Sequence, residues 1–373
     1  YFRDRSTFTG EVRFISQEYS EIFFGTTSWV TGMYIKQDNE DLLRQYTGLD
    51  SDFLSDFDTN TLAVFGQLDS KLTENLTLTT GLRVEDRRTD YANSNTLTFD
   101  PTDTMIGGKV VLSYQATEES MFYGSINRGY KAGGVNTEST IAPELREFSP
   151  EYLLNYEVGY KVSFAENSAY LRTAAFYMDR SDVQIKTSYQ EEPEAGSTEP
   201  GEFIEYLDNA TSGYNYGLEI DGAWYISHNV EVYGALGLLE TQFEGYVDKE
   251  GALAPEQEQA HAPTYQFNLG INYQPNEQWL INVNIDGKDA FYYSDSPYAR
   301  DERESESVEL LHASISYLQE NWQLRLWARN LLNETYGTRG FYFGNDPRDG
   351  YTEKAYTQNG EPMVFGATFD YQF

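Results

Sequence analysis

Residues 363–373 read MVFGATFDYQF, and in this stretch large apolar residues alternate with small or polar ones. Successive side chains of an extended strand point to opposite faces, so the alternation gives one apolar face and one mostly polar face. The same pattern recurs in residues 212–226, 264–274 and 278–288. It predicts an all-β chain. The apolar face of the last strand carries Met363, Phe365, Ala367, Phe369, Tyr371 and Phe373.

We expect about 15 such strands, because period-two segments bounded by turn residues recur throughout the chain. Short polar turns, such as residues 73–75, 165–167 and 275–277, alternate with long loops. This alternation is typical of outer-membrane barrels, whose turns are periplasmic and whose loops are extracellular. No composition shift divides the chain, so we expect one barrel domain over residues 1–373. The predicted strands are 7–16, 27–37, 60–71, 76–88, 105–115, 120–130, 152–164, 168–185, 212–226, 229–242, 264–274, 278–288, 308–318, 322–331 and 362–373.

The composition suits a chain that spans a membrane with strands. It includes 31 Tyr, 22 Phe and no Cys, and the mean hydropathy is -0.60. Only alternate strand residues meet lipid in a barrel, so a low mean hydropathy is compatible with insertion. No apolar run reaches the ~18 residues that a spanning helix needs. We therefore predict an antiparallel transmembrane β-barrel in the outer membrane of a Gram-negative bacterium, in contact with lipid and lipopolysaccharide.

An odd number of strands would leave two open edges in lipid, which spanning structures do not tolerate. We therefore expect further strands before Tyr1, since the amphipathic strand that ends at Phe373 is typical of the end of a complete outer-membrane protein. The chain opens without a basic and apolar leader, so a signal peptide is either cleaved or lies outside this sequence.

Several stretches resemble TonB-dependent receptors of the iron-complex group. They are NRGYKAGGVN at 127–136, FSPE at 148–151 leading into NYEVGYK at 155–161, and GLE at 217–219. Near the end, ARNLLNETY at 328–336 is similar to the family's penultimate-strand signature. Tyr371 and Phe373 resemble the C-terminal signal that the barrel-assembly machinery reads. The likeness runs over nearly the whole chain, and its specificity lies in the order of the stretches.

The resemblance implies a 22-stranded barrel closed by an N-terminal plug domain. Of that plan this chain holds about 15 strands, and both the plug and a TonB box are absent from it. The resemblance further implies an active transporter that takes up a siderophore-type iron chelate or a similar scarce nutrient. The energy would come from the TonB-ExbB-ExbD system. Neither a cofactor nor an enzymatic step is expected.

Charged residues on the polar face of the strands are candidates for contact with the plug. Open channels carry such charges too, so a hydrated lumen wall is an equal interpretation. The candidates are Arg83, Glu85, Lys161, Glu219, Asp221, Arg325 and Arg329.

Ligand capture is expected in the long loops, where aromatic and basic residues occur together. Aromatic faces and guanidinium forks suit an anionic, catechol-like or heterocyclic iron chelate. An aromatic girdle at the membrane rim is the alternative for residues beside strand ends. Six glutamates within residues 191–205 would repel an anionic chelate unless salt or divalent ions screen them. The candidates are Phe291, Tyr292, Tyr293, Tyr298, Arg300, Arg339, Phe341, Tyr342, Phe343 and Arg348.

The three histidines do not predict an active site or a metal site. His228 falls in a turn, His261 in a long loop and His312 on a lumen-facing strand, so they cannot meet. Barrel enzymes need a histidine beside a carboxylate or a serine at one level of the wall. The net charge of -34 argues against nucleic acid as a partner. Two further functions stay open: a passive porin or adhesive barrel, and TonB-dependent uptake of a vitamin or oligosaccharide.

Overall fold

One antiparallel sheet dominates the computed structural model, which describes residues 1–17, 20, 27–45, 51–137, 141–190, 203–245, 253, 255–295 and 300–373. Fifteen strands of this sheet follow one another in chain order, each hydrogen-bonded to the next, and we call them the wall strands. No helix in the described part of the chain is long and apolar enough to cross a membrane. The elements in chain order are β1 (Phe2–Ile15), β2 (Thr27–Arg44), β3 (Phe53–Lys71), β4 (Leu76–Asn93), β5 (Thr98–Phe99), β6 (Thr102–Gln115), β7 (Ser120–Lys131), β8 (Gly134–Val135), β9 (Glu147–Phe148), β10 (Glu151–Phe164), β11 (Ala169–Gln190), β12 (Phe203–Ser227), β13 (Val230–Glu244), β14 (Tyr265–Asn276), β15 (Trp279–Lys288), β16 (Val308–Leu318), β17 (Trp322–Arg329), β18 (Gly337–Phe343), β19 (Lys354–Asn359) and β20 (Val364–Tyr371).

Five short strands lie outside the main path of the sheet. β5 pairs with β4, β8 pairs with β9, and β18 pairs with β19. The β18–β19 hairpin lies within the connection between β17 and β20. That segment was predicted as plain loop, and its hairpin was missed because it is too short to show a long alternation.

Each predicted strand overlaps one wall strand, but several wall strands are longer than predicted on the loop side. β2 continues to Arg44 and β3 begins at Phe53, where the prediction placed a loop. There polar residues such as Asn39 and Asp58 replace the apolar ones, and the Asn39 amide donates to Asp58 Oδ1 at 2.6 Å. The apolar alternation therefore ends before the backbone pairing does.

The register places the large apolar side chains on one face of the sheet. Met33 pairs with Val64, Val64 with Val84, and Val84 with Ile106, and all four side chains are exposed. Exposed apolar side chains in a continuous row are expected where lipid is the solvent. The opposite face, which we call the inner wall, carries the polar side chains, so the predicted division into an apolar and a polar face is confirmed.

Aromatic rings on the inner wall lie over glycines of neighbouring strands. A Cβ added to the glycine would stand 2.2 to 2.8 Å from the nearest ring atom in each pair. The missing side chain therefore lets the ring lie along the wall. The directly opposed pairs are Phe65 on Gly32, Tyr123 on Gly159, Phe176 on Gly217, Tyr233 on Gly270 and Trp327 on Gly366.

We expect Gly270→Ala to destabilise the barrel by about 1 to 3 kcal/mol, the usual range for overpacking. The new Cβ would lie 2.2 Å from Cζ of Tyr233, whose hydroxyl accepts a hydrogen bond from Asn282 at 3.0 Å. Thermal unfolding in detergent measures the change. The matched control is Gly129→Ala, since a Cβ there meets nothing within 4 Å. Equal midpoints for the two variants would contradict the prediction.

The loop side of the sheet holds the best-buried part of the described chain. β11 and β12 continue past the other strands, and Asp182, with a left-handed φ of 54°, locally interrupts their pairing between Ser181 and Val183. One face of the hairpin buries Val183, Ile185 and Ala210 with Phe243 of β13. A second cluster joins Ile204 and Tyr206 to Ile141. These two buried clusters fix the β11–β12 extension against β13 and against the segment around Ile141, so the extension can position the loops next to it.

Candidate functional site

Four segments enclose a cavity of about 290 Å³ on the loop side, which we call the loop cavity. They are the β11–β12 extension, the segment before β14, the connection from β15 to β16, and the β18–β19 hairpin. Five of the predicted ligand residues line it together, namely Tyr293, Arg339, Phe341, Tyr342 and Phe343. The other lining residues are Lys186, Glu205, Ala260, His261, Ser294, Asp295, Arg303 and Gly340.

Tyr293 joins two of these segments. Its ring lies against Gly337 and Gly340 of β18, where added Cβ atoms would stand 1.9 and 2.2 Å from it. Its backbone N–H donates to the Arg303 carbonyl at 2.7 Å. The ring also packs edge-on against Phe291, with centroids 5.4 Å apart. Tyr293 thus fixes the β18–β19 hairpin against the β15–β16 connection.

The lining of the loop cavity is richer in cations than the protein as a whole. Lys186, Arg303 and Arg339 face two carboxylates, those of Glu205 and Asp295. The Lys186 ammonium pairs with Glu205 at 2.8 Å. Burial raises the pKa of Asp295 above its ordinary value, against the opposing effect of the Ala260 N–H that donates to it at 2.6 Å. In a chain with a net charge of -34, this site carries a local positive charge.

Aromatic faces accompany these cations. The Arg339 guanidinium lies over the Phe341 ring at 5.4 Å, and the His261 ring lies 5.2 Å from Phe291. Burial raises the pKa of the Tyr293 phenol, and Glu306 adds to the effect, so its hydroxyl remains a neutral donor. The cavity therefore offers cationic donors, a phenol and flat apolar faces within one enclosure.

The remaining loop candidates lie elsewhere. Arg300 covers the Tyr292 ring at 3.7 Å and donates to Gln257 Oε1 at 3.1 Å, so this pair ties two loops together outside the cavity. Arg348 is exposed and forms a bidentate pair with Asp346 in its own turn. Tyr298 lies outside the described residues, as does the acidic stretch at 191–202.

The seven charged candidates on the strands all have the inner-wall register, as expected. Arg83 pairs with Glu85 at 2.6 Å, Asp221 with Arg172 at 2.6 Å, and Arg329 with Glu361 at 2.9 Å. Lys161 lies over the Tyr123 ring at 5.4 Å. Glu219 and Arg325 share the same face as their strand partners Gly237 and Thr368. Contact of these residues with a plug stays a prediction.

Sequence reasoning missed the part that other segments play in the loop cavity. Lys186, Arg303 and Asp295 carried no signal, since nothing in their local pattern shows which distant segment they meet. His261 was assigned to a long loop without a functional role, and the structure places it at the cavity wall with a left-handed φ of 56°. In the described part of the chain no group of three His, Asp or Glu side chains converges as a metal site.

His312 lies on the inner wall, as its register predicts. Its Nε2 lies 2.7 Å from Asp286 Oδ1, and its Nδ1 accepts the Asn330 N–H at 3.3 Å. The ring therefore links β15, β16 and the end of β17. At the opposite end of the last strand, Tyr371 pairs with Trp322, and its ring meets that of Phe373 at 5.1 Å. Their role as an assembly signal stays a prediction.

The wall, its long loop-side strands and its polar inner face define an outer-membrane β-barrel of the receptor type. A family model described as TonB dependent receptor-like, beta-barrel matches residues 1–331. The chain belongs to this family, whose members lie in the outer membrane of Gram-negative bacteria and act as receptors and transporters.

Known proteins of this kind are similar to the chain over part of their length. The pesticin receptor of Yersinia enterocolitica is 24% identical over 209 residues, which are 53% of this chain and 29% of that protein. The crystal structure of the ferric yersiniabactin uptake receptor FyuA from Yersinia pestis matches 100% of this chain and 54% of its own, with 17% identity and a TM-score of 0.77. The copper transporter OprC matches 100% and 57%, with 13% identity and a TM-score of 0.76. The chain thus spans about half the length of these structures, and the likeness to them shows the fold.

Proposed function

We propose that this chain is the larger part of an outer-membrane active transporter that takes up an anionic, aromatic iron chelate of the siderophore type. The observation that carries the proposal is the loop cavity, where Arg339, Lys186 and Arg303 meet tyrosine and phenylalanine faces. The proposed transporter also has an N-terminal plug domain in the lumen, and it receives its energy from the TonB-ExbB-ExbD system. The barrel-assembly machinery would insert the wall.

The charge of the loop cavity decides between classes of ligand. A ligand without negative charge gains nothing from three cations, whereas a carboxylate or phenolate oxygen forms charge-assisted hydrogen bonds with them. The cations also offset the repulsion that an anion meets from a protein with a net charge of -34. A volume of about 290 Å³ suits one planar head of a chelate rather than the whole complex. FyuA, a ferric yersiniabactin uptake receptor of the same fold, is consistent with this class of cargo.

We expect Arg339→Gln to weaken binding of an anionic ferric chelate about tenfold or more, because one charge-assisted contact contributes roughly 1.5 to 3 kcal/mol. Quenching of intrinsic fluorescence in the purified full-length protein measures the affinity for catecholate, phenolate and hydroxamate complexes of iron. Arg348→Gln is the matched control, since Arg348 lies on the same connection but pairs with Asp346. Equal affinities for both variants would contradict the proposal.

A transport assay separates the proposed machine from its alternatives. Uptake of radioactive iron by iron-starved cells that carry the gene should stop when tonB is deleted. Uptake that persists without TonB would indicate a passive porin. Tight binding of a vitamin or an oligosaccharide, with none of the three ferric chelates, would replace the iron cargo by another nutrient while leaving the TonB-dependent mechanism in place.

A further inference from the structure

A shallow groove crosses the apolar face of β6, β7, β10 and β11, and we call it the β7 groove. Its volume is about 590 Å³. Gly124 of β7 leaves room at its centre, because a Cβ added there would have its nearest contact at 3.9 Å. Val158, the strand partner of Gly124, is 63% exposed beside it. The other apolar side chains that line the groove are Val110, Leu112, Ile126, Tyr156, Ala175 and Tyr177.

The β7 groove lies next to the loop-side boundary of the lipid. Aromatic girdles mark the two lipid boundaries of outer-membrane barrels, and the long loops face the cell exterior. On the loop side, Tyr177 stacks with Tyr214 at a centroid distance of 6.3 Å, and Tyr177 also lines the groove. On the turn side, Phe122 stacks with Tyr160 at 4.4 Å. The groove therefore opens to lipid of the outer leaflet.

An arginine stands above the β7 groove on the same face of the sheet. Arg128 follows Ile126 by two residues on β7, which places it about 6.7 Å further towards the loop side. It is exposed, and its strand partner on β10 is the apolar Leu154. A charge on the lipid face is costly in the middle of the bilayer but is tolerated at the boundary, where a long side chain reaches the head groups.

The guanidinium of Arg128 is held in place and still has donors for a ligand. It lies 4.1 Å from the centroid of the Tyr152 ring, and its Nη1 donates to the Ile106 carbonyl where the pairing of β6 with β7 ends. No carboxylate among the described residues forms an ion pair with it. Asp179, the nearest acidic residue in its row, is separated from it by Leu154. The other N–H groups of Arg128 can therefore donate to an anion.

We propose that this face of the barrel binds the lipid A anchor of a lipopolysaccharide molecule, with a phosphate on Arg128 and an acyl chain in the β7 groove. Lipopolysaccharide is the phosphate-bearing lipid of the outer leaflet, which the loop side meets. The planar guanidinium matches phosphate oxygens, and the groove directly below it matches a chain attached to the same head group. The inference rests on the outer-membrane location and is independent of the cargo.

Native mass spectrometry of the purified full-length protein in detergent tests the site. The probes are phosphorylated lipid A and the same lipid A after enzymatic dephosphorylation. EDTA is present, so that divalent ions do not bridge a phosphate to a carboxylate such as that of Asp179. Arg128→Gln should weaken the tightest binding step of phosphorylated lipid A about tenfold, the typical effect of losing one charge-assisted contact. The same variant should bind dephosphorylated lipid A as the unchanged protein does.

Arg88→Gln is the matched control for the charge. Arg88 is an exposed arginine on the same face, but it belongs to β4 and already pairs with Asp86 at 3.5 Å. Its replacement should leave the binding of both probes unchanged. The proposal is overturned if Arg128→Gln and Arg88→Gln bind phosphorylated lipid A equally, or if an equal concentration of phosphatidylglycerol displaces lipid A from the protein.

Two glycine variants test the β7 groove. Gly124→Leu fills the groove and should weaken both probes about fivefold or more, because several CH₂ groups of the acyl chain lose their contacts. Gly66→Leu adds the same side chain to the apolar face of β3, where a Cβ would have its nearest contact at 3.7 Å, and should bind both probes as before. Unchanged heat-modifiable gel mobility shows that the barrels fold. Equal affinities of the two glycine variants would also overturn the proposal.

Discussion

Replacing Glu151 by alanine is expected to destabilise the loop side of the barrel by about 3 to 5 kcal/mol, the range observed when one partner of a buried ion pair is removed. Glu151 begins β10, and its Oε1 accepts from the Arg180 guanidinium, with Nε at 2.7 Å. Its Oε2 accepts the Gln184 N–H at 2.9 Å. The two side chains are 9% and 15% exposed, so the guanidinium that is left behind would be buried without its hydrogen-bonded carboxylate.

The loss of Glu151 should also affect the loop cavity, because the β11–β12 extension lines that cavity. Gln184 lies on the β11–β12 extension just beyond Asp182, and its amide donates to the carbonyls of Ala132 and Ser149 at 2.8 and 3.0 Å. Without Glu151, the backbone N–H of Gln184 loses its acceptor. We therefore expect weaker ligand binding together with lower stability, because Lys186 and Glu205 reach the cavity from the same hairpin.

Unfolding in denaturant, followed by circular dichroism of the detergent-solubilised protein, measures the effect of Glu151→Ala. The double variant Glu151→Leu with Arg180→Met should recover most of the loss, since apolar residues of similar volume replace buried pairs at little cost. Arg172→Ala breaks an ion pair whose side chains are 54% and 37% exposed, and it should leave the unfolding midpoint unchanged. If Glu151→Ala and Arg172→Ala gave the same midpoint, burial would not govern the strength of these pairs.

The wall could be predicted from the sequence because lipid and lumen impose opposite polarity on successive residues. The strand that ends at Tyr371 and the strand from Trp279 to Lys288 keep this alternation along their length, and both were placed within two residues of their observed bounds. The extension of β12 back to Phe203 was missed. Above the lipid both of its faces meet protein or water, so the period-two signal fades while the backbone pairing continues.

The loop cavity could be predicted only in part. The co-occurrence of aromatic residues and arginine predicted Tyr293, Arg339, Phe341, Tyr342 and Phe343, and the structure brings these five together. The same reasoning chose Arg348, which the structure places in a local pair with Asp346. Composition shows that a loop is basic and aromatic, but the direction of each side chain depends on contacts between segments that lie far apart in sequence.

Asn330 belongs to the ARNLLNETY stretch at 328–336, and its side chain fixes the connection that follows β17. It follows the last residue of β17, is 2% exposed and has a left-handed φ of 49°. Its Nδ2 donates to the carbonyls of Glu334 and Glu361 at 2.8 and 3.1 Å, and its Oδ1 accepts the Glu334 N–H at 2.8 Å. One side chain thus joins the two ends of the connection that carries the β18–β19 hairpin.

We expect Asn330→Ala to lower the free energy of unfolding by about 3 kcal/mol. A left-handed conformation costs alanine roughly 1 to 2 kcal/mol, and the buried backbone groups left without a partner add at least about 1 kcal/mol. Thermal unfolding in detergent measures the loss. Asn330→Gly removes the side chain but tolerates the left-handed φ, so it should lose less than alanine does.

The same substitution separates stability from ligand binding. Arg339 and Phe341 line the loop cavity from the hairpin whose base Asn330 holds, so Asn330→Ala should weaken chelate binding although it contacts no ligand. Asn345→Ala removes an exposed contact at 2.7 Å to Tyr356 at the far end of the hairpin, and it should affect binding much less. Full affinity in Asn330→Ala would contradict this prediction. It would mean that the packing of Tyr293 against the glycines of β18 is enough to position the hairpin without the hydrogen bonds of Asn330.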